Sequence, residues 1–266
     1  MDVKSPKEVA EAALNIGLAK VGVSNNQLAR LSLLAMLAGA YIALGGVLSL
    51  IVGFGFPGIT GENPALQKLL SGCTFPIGLI LVVVLGAELF TGNNALLIPA
   101  FMQRRCSAMD VAKNWILVYL GNFAGALSFT YLMVYCCGLT AVEPYHSAIV
   151  NIASAKVSMP WLTVFLKGIG ANWCVCLAVW LALSGRTLIE KMAGCWFPVM
   201  AFVALGYEHS IANMFFIPLG MMEGADVGVW ESVWRSFIPA TLGNIVGGAL
   251  LVGAVHACLH LGGAKR

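Results

Sequence analysis

Three ionisable side chains, Glu88, Glu208 and His209, stand within otherwise apolar stretches of the sequence. At the centre of a membrane-spanning helix such a group costs roughly 2.5–3.5 kcal/mol on insertion scales, so each needs a partner or a functional purpose. The two glutamates occupy matching positions in two similar segments, 86–94 and 206–214. This match favours a structural role in which they accept backbone N–H groups of an interrupted helix, and substrate contact is the alternative. Leu89 occupies the position that matches His209, so a symmetric scaffold does not require the histidine and a functional role is favoured.

Three further polar residues lie where they could reach the same region. Thr91 follows Glu88 by three residues and could present its hydroxyl to the same region. Asn172 is a lone amide within an apolar run. A buried asparagine either holds a histidine tautomer or bridges helices, and the sequence leaves both roles open. Lys156 lies just outside an apolar run, where it either attracts anions or extends its stem along apolar surface.

A metal site or an enzyme is the alternative class of function. His256, Cys258 and His260 have a spacing typical of metal ligands, but no acidic residue or further histidine lies nearby in the sequence. An intramembrane enzyme using His209 and Glu208 would need a second titratable group besides a structural glutamate. We therefore expect no metal, no cofactor and no enzymatic activity.

The composition indicates what positions these residues. The 266 residues are 59% hydrophobic and 10% charged, with a mean hydropathy of +0.87, whereas charged residues make up about a quarter of soluble domains. Because a membrane span needs about 20 mostly apolar residues, the pattern predicts an all-α membrane protein. Six stretches qualify: 28–54, 70–102, 110–138, 160–184, 188–220 and 233–261. The net charge of +3, without a basic run, argues against a nucleic-acid partner.

The distribution of positive charge predicts the orientation. Six spans place both termini on one side of the membrane. Of the 15 lysines and arginines, eleven fall on that side, and the remaining four are Lys68, Lys156, Lys167 and Arg235. Since lysine and arginine are enriched on the cytoplasmic side, we expect both termini in the cytoplasm.

The chain divides into a short leading segment and a pore domain. Residues 1–27 contain a capping box at Ser5 and Glu8 followed by an apolar stripe, which predicts an amphipathic helix at the cytoplasmic surface. Residues 28–266 form the six-helix domain, with one repeat at about 28–138 and a second at about 160–261. The leading helix is either an interfacial anchor or a cover for the pore mouth.

An internal repeat predicts that the second and fifth spans are interrupted. Residues 86–94 align with 206–214, so that glycine, glutamate and asparagine coincide, and residues 120–122 align with 242–244. Because each repeat has three spans, the two halves have inverted topology. Unwound backbone is tolerated at membrane depth only where it is buried in protein or lines a cavity, so a site is expected near the midplane.

These motifs resemble the formate–nitrite transporter family along essentially the whole chain. The resemblance rests on GYEHSIANM at 206–214, supported by ANWCVCLAVW at 171–180 and ELFTG at 88–92. It implies an aquaporin-like protomer of six helices with the second and fifth broken. It also implies a homopentamer in which each protomer has its own pore, in the plasma membrane of a prokaryote.

The resemblance also implies roles for individual residues. His209 is the central pore histidine, Thr91 and Asn172 are its hydrogen-bonding neighbours, and Lys156 is the outer basic residue. The leading helix gates the cytoplasmic mouth. The outer constriction comprises Phe75 and Phe202, and the inner one comprises Leu79, Leu89, Phe90 and Val175.

Formate is the substrate that the resemblance favours, with nitrite and hydrosulfide as alternatives. Segments 74–79 and 90–94 are more similar to those of formate channels associated with formate dehydrogenase than to those of nitrite members. Moving an unpaired carboxylate into an apolar slit costs on the order of tens of kcal/mol in the Born limit, so the anion should gain a proton at or near His209. An unperturbed histidine titrates near ~6.5, so transport is expected to respond to pH in the physiological range.

Overall fold

The computed structural model describes residues 3–262, and within that range every regular element is helical. In chain order the helices are α1 (Pro6–Asn26), α2 (Leu28–Phe54), α3 (Pro57–Thr60), α4 (Pro64–Thr74), α5 (Ile77–Leu85), α6 (Phe90–Leu96), α7 (Ile98–Met102), α8 (Ala108–Phe129), α9 (Tyr145–Ser158), α10 (Trp161–Ser184), α11 (Leu188–Ala204), α12 (Ser210–Met222), α13 (Val229–Ser232), α14 (Ile238–Ile245) and α15 (Val255–His260). Three π-helical stretches, Thr130–Tyr135, Val233–Phe237 and Val246–Ala254, extend or join helices of the third and sixth crossings.

Six crossings follow from these helices, as the sequence predicts. Five continuous helical segments are long and apolar enough to span a membrane: Leu28–Phe54, Pro64–Leu85, Ala108–Tyr135, Trp161–Ser184 and Val229–His260. The remaining crossing, fifth in chain order, consists of α11 and α12 with an interruption between them. The second crossing begins at Pro64, before the predicted start at residue 70, and continues after its interruption as α6 and α7.

Both interruptions begin at a glycine in the left-handed conformation. Gly86 has a φ of +74° and Gly206 has a φ of +69°. A side chain at such a φ is strained, which explains why both repeats have glycine where the helix stops. The next helices begin at Phe90 and Ser210, so three extended residues separate each glycine from the following half-helix.

The leading helix α1 forms as its capping box predicts. The Ser5 hydroxyl accepts a hydrogen bond from the backbone N–H of Glu8 at 3.4 Å, and the Glu8 carboxylate accepts one from the Ser5 N–H at 2.7 Å. The Ser5 hydroxyl also donates to the Glu8 carboxylate at 2.7 Å, and this hydrogen bond, together with the one from the Ser5 N–H, lowers the pKa of Glu8 from its ordinary value. A side chain at Gly17 would overlap the backbone carbonyl of Leu96, so α1 packs directly against the half-helix α6.

Helix α9 lies between the third and fourth crossings, where the apolar pattern of the sequence predicts only a connection. It is bounded by Pro144 at its N-cap and by Pro160 beyond its end. The proline after the helix is a recognisable stop signal, since the residue before proline disfavours the helical conformation. This helix carries Lys156.

Small residues set the closest helix contacts, between α2 and α8 and between α10 and α14. A Cβ at Gly125 would overlap the carbonyl oxygen of Met36, and one at Gly243 would overlap that of Phe165. Glycine therefore allows each pair of backbones to approach to van der Waals distance, as expected for helices that associate within a membrane.

We predict that Gly125→Ala destabilises the protein, because α2 and α8 must separate to admit the methyl group. Overpacking of this kind typically costs about 1–3 kcal/mol. The melting temperature of purified protein in detergent should fall by several degrees. Gly22→Ala is the matched control, since nothing lies within 4 Å of a Cβ at Gly22 on α1. Equal melting temperatures for the two variants would contradict this account of the packing.

Candidate functional site: two cavities separated by a buried histidine

An asparagine side chain pairs the backbone groups that the first interruption frees. The amide oxygen of Asn122 accepts a hydrogen bond from the Phe90 N–H at 2.9 Å. Its amide nitrogen donates to the carbonyls of Ala35 and Glu88, both at 2.8 Å. Asn122 is fully buried on α8 and satisfies a donor and an acceptor that helix geometry has left unpaired.

The second interruption is held in the same way. The amide oxygen of Asn244 accepts from the Ser210 N–H at 2.8 Å. Its nitrogen donates to the carbonyls of Gly168 at 2.8 Å and Glu208 at 3.0 Å. The sequence repeat contains both asparagines, yet their spacing alone does not indicate which backbone groups they bind.

The first glutamate forms a buried ion pair with the leading helix. The Glu88 carboxylate lies 2.8 Å from the Lys20 ammonium and accepts a hydrogen bond from the Asn93 amide at 2.7 Å. Lys20 continues the apolar stripe of α1 at helical spacing, four residues after Ile16. A cation within an otherwise apolar stripe indicates a buried acidic partner. The sequence does not show that this partner is Glu88.

The second glutamate has the equivalent partners. The Glu208 carboxylate accepts hydrogen bonds from the Lys156 ammonium at 2.9 and 3.1 Å, and from the Asn213 amide at 2.8 Å. The expectation that the two glutamates accept backbone N–H groups is therefore wrong. Asparagine oxygens already fill that role, and a buried carboxylate is better compensated by a cation.

A chain of side-chain hydrogen bonds ties α1 to the first interruption. The Asn114 amide donates to the Ser24 hydroxyl at 2.8 Å, and the Asn93 amide donates to the Asn114 oxygen at 2.9 Å. Asn93 also contacts Glu88, which pairs with Lys20. Helix α1 is thus connected to the broken helix through two of its own residues.

His209 lies at the end of the second interruption and caps α12. Its Nδ1 accepts a hydrogen bond from the Ala212 N–H at 3.1 Å, and its Nε2 lies 3.0 Å from the Thr91 hydroxyl oxygen. Because Nδ1 acts as an acceptor, the geometry assigns the proton of the neutral ring to Nε2, which donates to Thr91. The Thr91 hydroxyl hydrogen is then available to a further acceptor. The imidazole stacks on Phe202, with ring centroids 5.8 Å apart.

The Asn172 amide donates a hydrogen bond to the Thr91 carbonyl. Within residues 3–262 it makes no hydrogen bond to His209. Its amide nitrogen lies 2.6 Å from the Asn244 carbonyl, 3.1 Å from the Asn94 side-chain oxygen and 3.2 Å from the Thr91 carbonyl. The structure therefore brings His209 and Thr91 together, while Asn172 supports the segment that carries Thr91.

Two cavities lie at opposite ends of α2. The α9-side cavity has a volume of about 220 Å³ and contains His209 and Lys156 in its lining. Phe75 and Phe202 line it as well, in an edge-to-face pair with centroids 5.8 Å apart. Phe202 also stacks on the His209 imidazole, so the aromatic pair lies directly beside the histidine.

The α1-side cavity has a volume of about 350 Å³ and contains Lys20 and Glu88 in its lining. Leu79 and Leu89 form part of its apolar wall. Val175 belongs to the same buried core as these leucines. His209 lines the α9-side cavity, and its partner Thr91 is fully buried beside Gly92, which lines the α1-side cavity.

Phe90 points away from both cavities. Its ring packs edge-on against Tyr119 at 5.0 Å and Trp115 at 6.3 Å, both on α8. It is absent from the described lining of either cavity. As the first residue of α6, Phe90 faces α8 because its own N–H is bound by Asn122 on that helix.

The buried ion pair at Glu208 predicts an unequal response to single and double substitution. Lys156→Met should lower the melting temperature more than Lys156→Met combined with Glu208→Gln. The single change leaves a buried carboxylate without its cation, a loss typically of about 3–5 kcal/mol, whereas the double change removes both charges and keeps an oxygen for Asn213. Thermal melts in detergent measure the difference. A double variant no more stable than Lys156→Met would show that the pair is not coupled in this way.

Comparison with known proteins agrees with this architecture. The family model described as "Formate/nitrite transporter" matches residues 7–258. The "Probable formate transporter" of Methanothermobacter thermautotrophicus is 39% identical over 97% of this chain and 96% of that protein. A solved structure titled "FNT family ion channel" has a TM-score of 0.85 at 28% identity, covering 94% of this chain and 97% of that chain. "Pentameric formate channel with formate bound" has a TM-score of 0.77 at 31% identity, covering 88% and 98%.

The match extends over nearly all of the crossings and both interrupted helices, so the resemblance predicted from the sequence is confirmed. With its all-helical membrane architecture and these relatives, the chain belongs to the formate/nitrite transporter family, whose members are transporters and channels rather than enzymes.

Proposed function

We propose that this protein is a formate channel in which the anion passes between the α9-side and α1-side cavities. The observation that carries the proposal is the buried hydrogen bond between His209, which lines the α9-side cavity, and Thr91, which adjoins Gly92 in the lining of the α1-side cavity. A relative named as a probable formate transporter and a structure titled as a formate-bound channel support formate as the substrate.

The apolar constrictions exclude hydrated ions in this proposal. Phe75 and Phe202 form the constriction on the α9 side, and Leu79, Leu89 and Val175 form the one on the α1 side. Narrow apolar segments admit small solutes only after most of their water is lost. Formate has three heavy atoms, so either cavity has room for it. Phe90 takes part indirectly by holding the start of α6 against α8.

The path must lower the charge of the anion before the second constriction. The N-terminus of α12 lies at His209, and the positive end of a 13-residue helix favours negative charge there. The Nε2–H of His209 orients the Thr91 oxygen, which leaves the Thr91 hydroxyl hydrogen to bind the carboxylate. We propose that formate, bound at or near this pair, takes up a proton that enters from solvent through the α9-side cavity and crosses as the neutral acid.

Because His209 is the N-cap of α12, protonation of its ring would disturb the start of that helix. A proton on Nδ1 would remove the acceptor for the Ala212 N–H, so an imidazolium ion requires that the first turn of α12 rearrange. His209 is therefore proposed to act mainly as a fixed hydrogen-bond donor. Asn172 positions Thr91 for the same step through the backbone.

The remaining assignments concern assembly and orientation. We propose a homopentamer with one pore in each protomer, in the plasma membrane of a prokaryote, with both termini in the cytoplasm. The division into a leading segment at 1–27 and a pore domain at 28–266, whose ends 1–2 and 263–266 lie outside the described residues, then makes α1 a cytoplasmic helix that gates the mouth of the α1-side cavity. The contacts of Lys20 and Ser24 with the first interruption support a gating role over that of a simple surface anchor.

His209→Asn separates the contact of the imidazole ring with Thr91 from the role of residue 209 as the N-cap of α12. Asparagine is a strong N-cap residue, so it can still accept the Ala212 N–H, but it lacks the Nε2 atom that reaches Thr91. Because His209 acts as a fixed hydrogen-bond donor, formate uptake into proteoliposomes should fall at least about tenfold at every pH between 5 and 8. Wild-type protein, with formate, nitrite and hydrosulfide measured in parallel, is the reference.

Three outcomes would count against the proposal. A His209→Asn variant that carries formate at the wild-type rate would overturn the role of the ring. Faster passage of nitrite or hydrosulfide than of formate would leave the pathway in place and overturn the substrate. The absence of any flux through wild-type protein would overturn the channel function itself.

A further inference from the structure

The two lysines nearest the interruptions already have carboxylate partners. Lys156 binds both oxygens of Glu208, and its side chain is only 14% exposed. Lys20 lies 2.8 Å from Glu88, and its side chain is 13% exposed. An anion that approaches either lysine also approaches a carboxylate of equal charge, so the long-range field of each pair largely cancels.

Each cavity contains one further cation in its lining, nearer to solvent. Lys68 on α4 lines the α9-side cavity, and Arg30 on α2 lines the α1-side cavity; both residues are exposed. Within residues 3–262, no carboxylate lies within 4.0 Å of either cation. The guanidinium of Arg30 donates to the side-chain oxygen of the neutral Gln27 at 2.9 Å.

The charges that line the two cavities therefore balance in the same way. In the α9-side cavity, Glu208 compensates Lys156, and with His209 neutral Lys68 is the remaining charge. In the α1-side cavity, Glu88 compensates Lys20, and Arg30 is the remaining charge. Among the described lining residues, each mouth thus keeps one net positive charge, located on its exposed cation.

We infer that Lys68 and Arg30 are the anion-capture residues of the two mouths, an assignment that rests on the proposed channel function. An exposed cation attracts an anion through solvent without either group being desolvated, which raises the local anion concentration and the entry rate. The buried pairs Lys156–Glu208 and Lys20–Glu88 then serve to hold the interruptions and are reached only after capture.

The size of the effect follows from Coulomb's law in water. At about 4–8 Å, one unit charge raises the local concentration of a monovalent anion about two- to sixfold. Removing the cation should lower the entry rate by that factor when formate is far below saturation, and reversing the charge should lower it further. At about 1 M ionic strength the Debye length is only about 3 Å, so the difference should disappear.

The test uses right-side-out and inside-out membrane vesicles from cells that lack other formate pathways. Initial formate uptake is measured at about 10 mM and about 1 M ionic strength. Lys68→Ala should slow entry from the α9 side two- to sixfold at low ionic strength only, Lys68→Glu should slow it more, and Lys68→Arg should retain the wild-type rate. Arg30→Ala should have the same effect in vesicles of the opposite orientation.

Matched controls remove a cation outside both cavity linings. Arg235→Ala on the α9 side and Lys7→Ala on the α1 side make the same change in formal charge, but these cations pair with Glu231 and Glu11. Both controls should transport formate at the wild-type rate. Variants are compared only if they melt within about a degree of wild type, which separates loss of capture from loss of folding.

The outcomes distinguish this inference from the proposed function. If wild-type vesicles carry formate but Lys68→Ala matches wild type at low ionic strength, the capture role is wrong and the channel function stands. A defect of equal size at both ionic strengths would also overturn it, because it would indicate a structural change. If wild-type vesicles carry no formate, the proposed function fails and this inference fails with it.

Discussion

Two helices that stop halfway across a bilayer leave backbone groups unpaired where no water can reach them, and the rest of the structure depends on how those groups are satisfied. Each unpaired group would cost several kcal/mol in hydrocarbon. Asn122 and Asn244 each bind the N–H that starts the new half-helix, the carbonyl of the glutamate within the interruption and a carbonyl of a neighbouring helix. The glycine contacts between neighbouring helices bring these asparagines close enough to do so.

Once the interruptions are stable, they can present different side chains from equivalent positions. Leu89 and His209 are the residues that precede α6 and α12, so the same backbone geometry gives an apolar wall in one repeat and an imidazole in the other. Thr91 comes from the leucine-bearing repeat and meets the histidine from the opposite side. A nearly symmetric scaffold thereby produces one asymmetric polar contact between the two cavities.

The same logic places a cation beside each buried glutamate. Helices α1 and α9 lie outside the six crossings, yet each supplies the lysine that pairs with the glutamate of one interruption. Helices α1 and α9 therefore supply the cations that compensate the buried carboxylates of the two repeats. The charges of these lysines are compensated by the glutamates. The net positive charge of each cavity mouth therefore lies on residues closer to solvent, Lys68 and Arg30.

The crossings, the two interruptions, the capping box of α1 and the family can be predicted from the sequence, because they depend on local composition, on glycine at a left-handed position and on repeated motifs. The sequence also singled out His209 and Thr91. The partner of each polar or aromatic side chain emerges only when the helices pack: Glu88 pairs with Lys20, Asn172 binds the Thr91 backbone, and the Phe90 ring packs on α8. Those choices depend on which helices approach one another and on which donors remain free there, and no spacing along one segment contains that information.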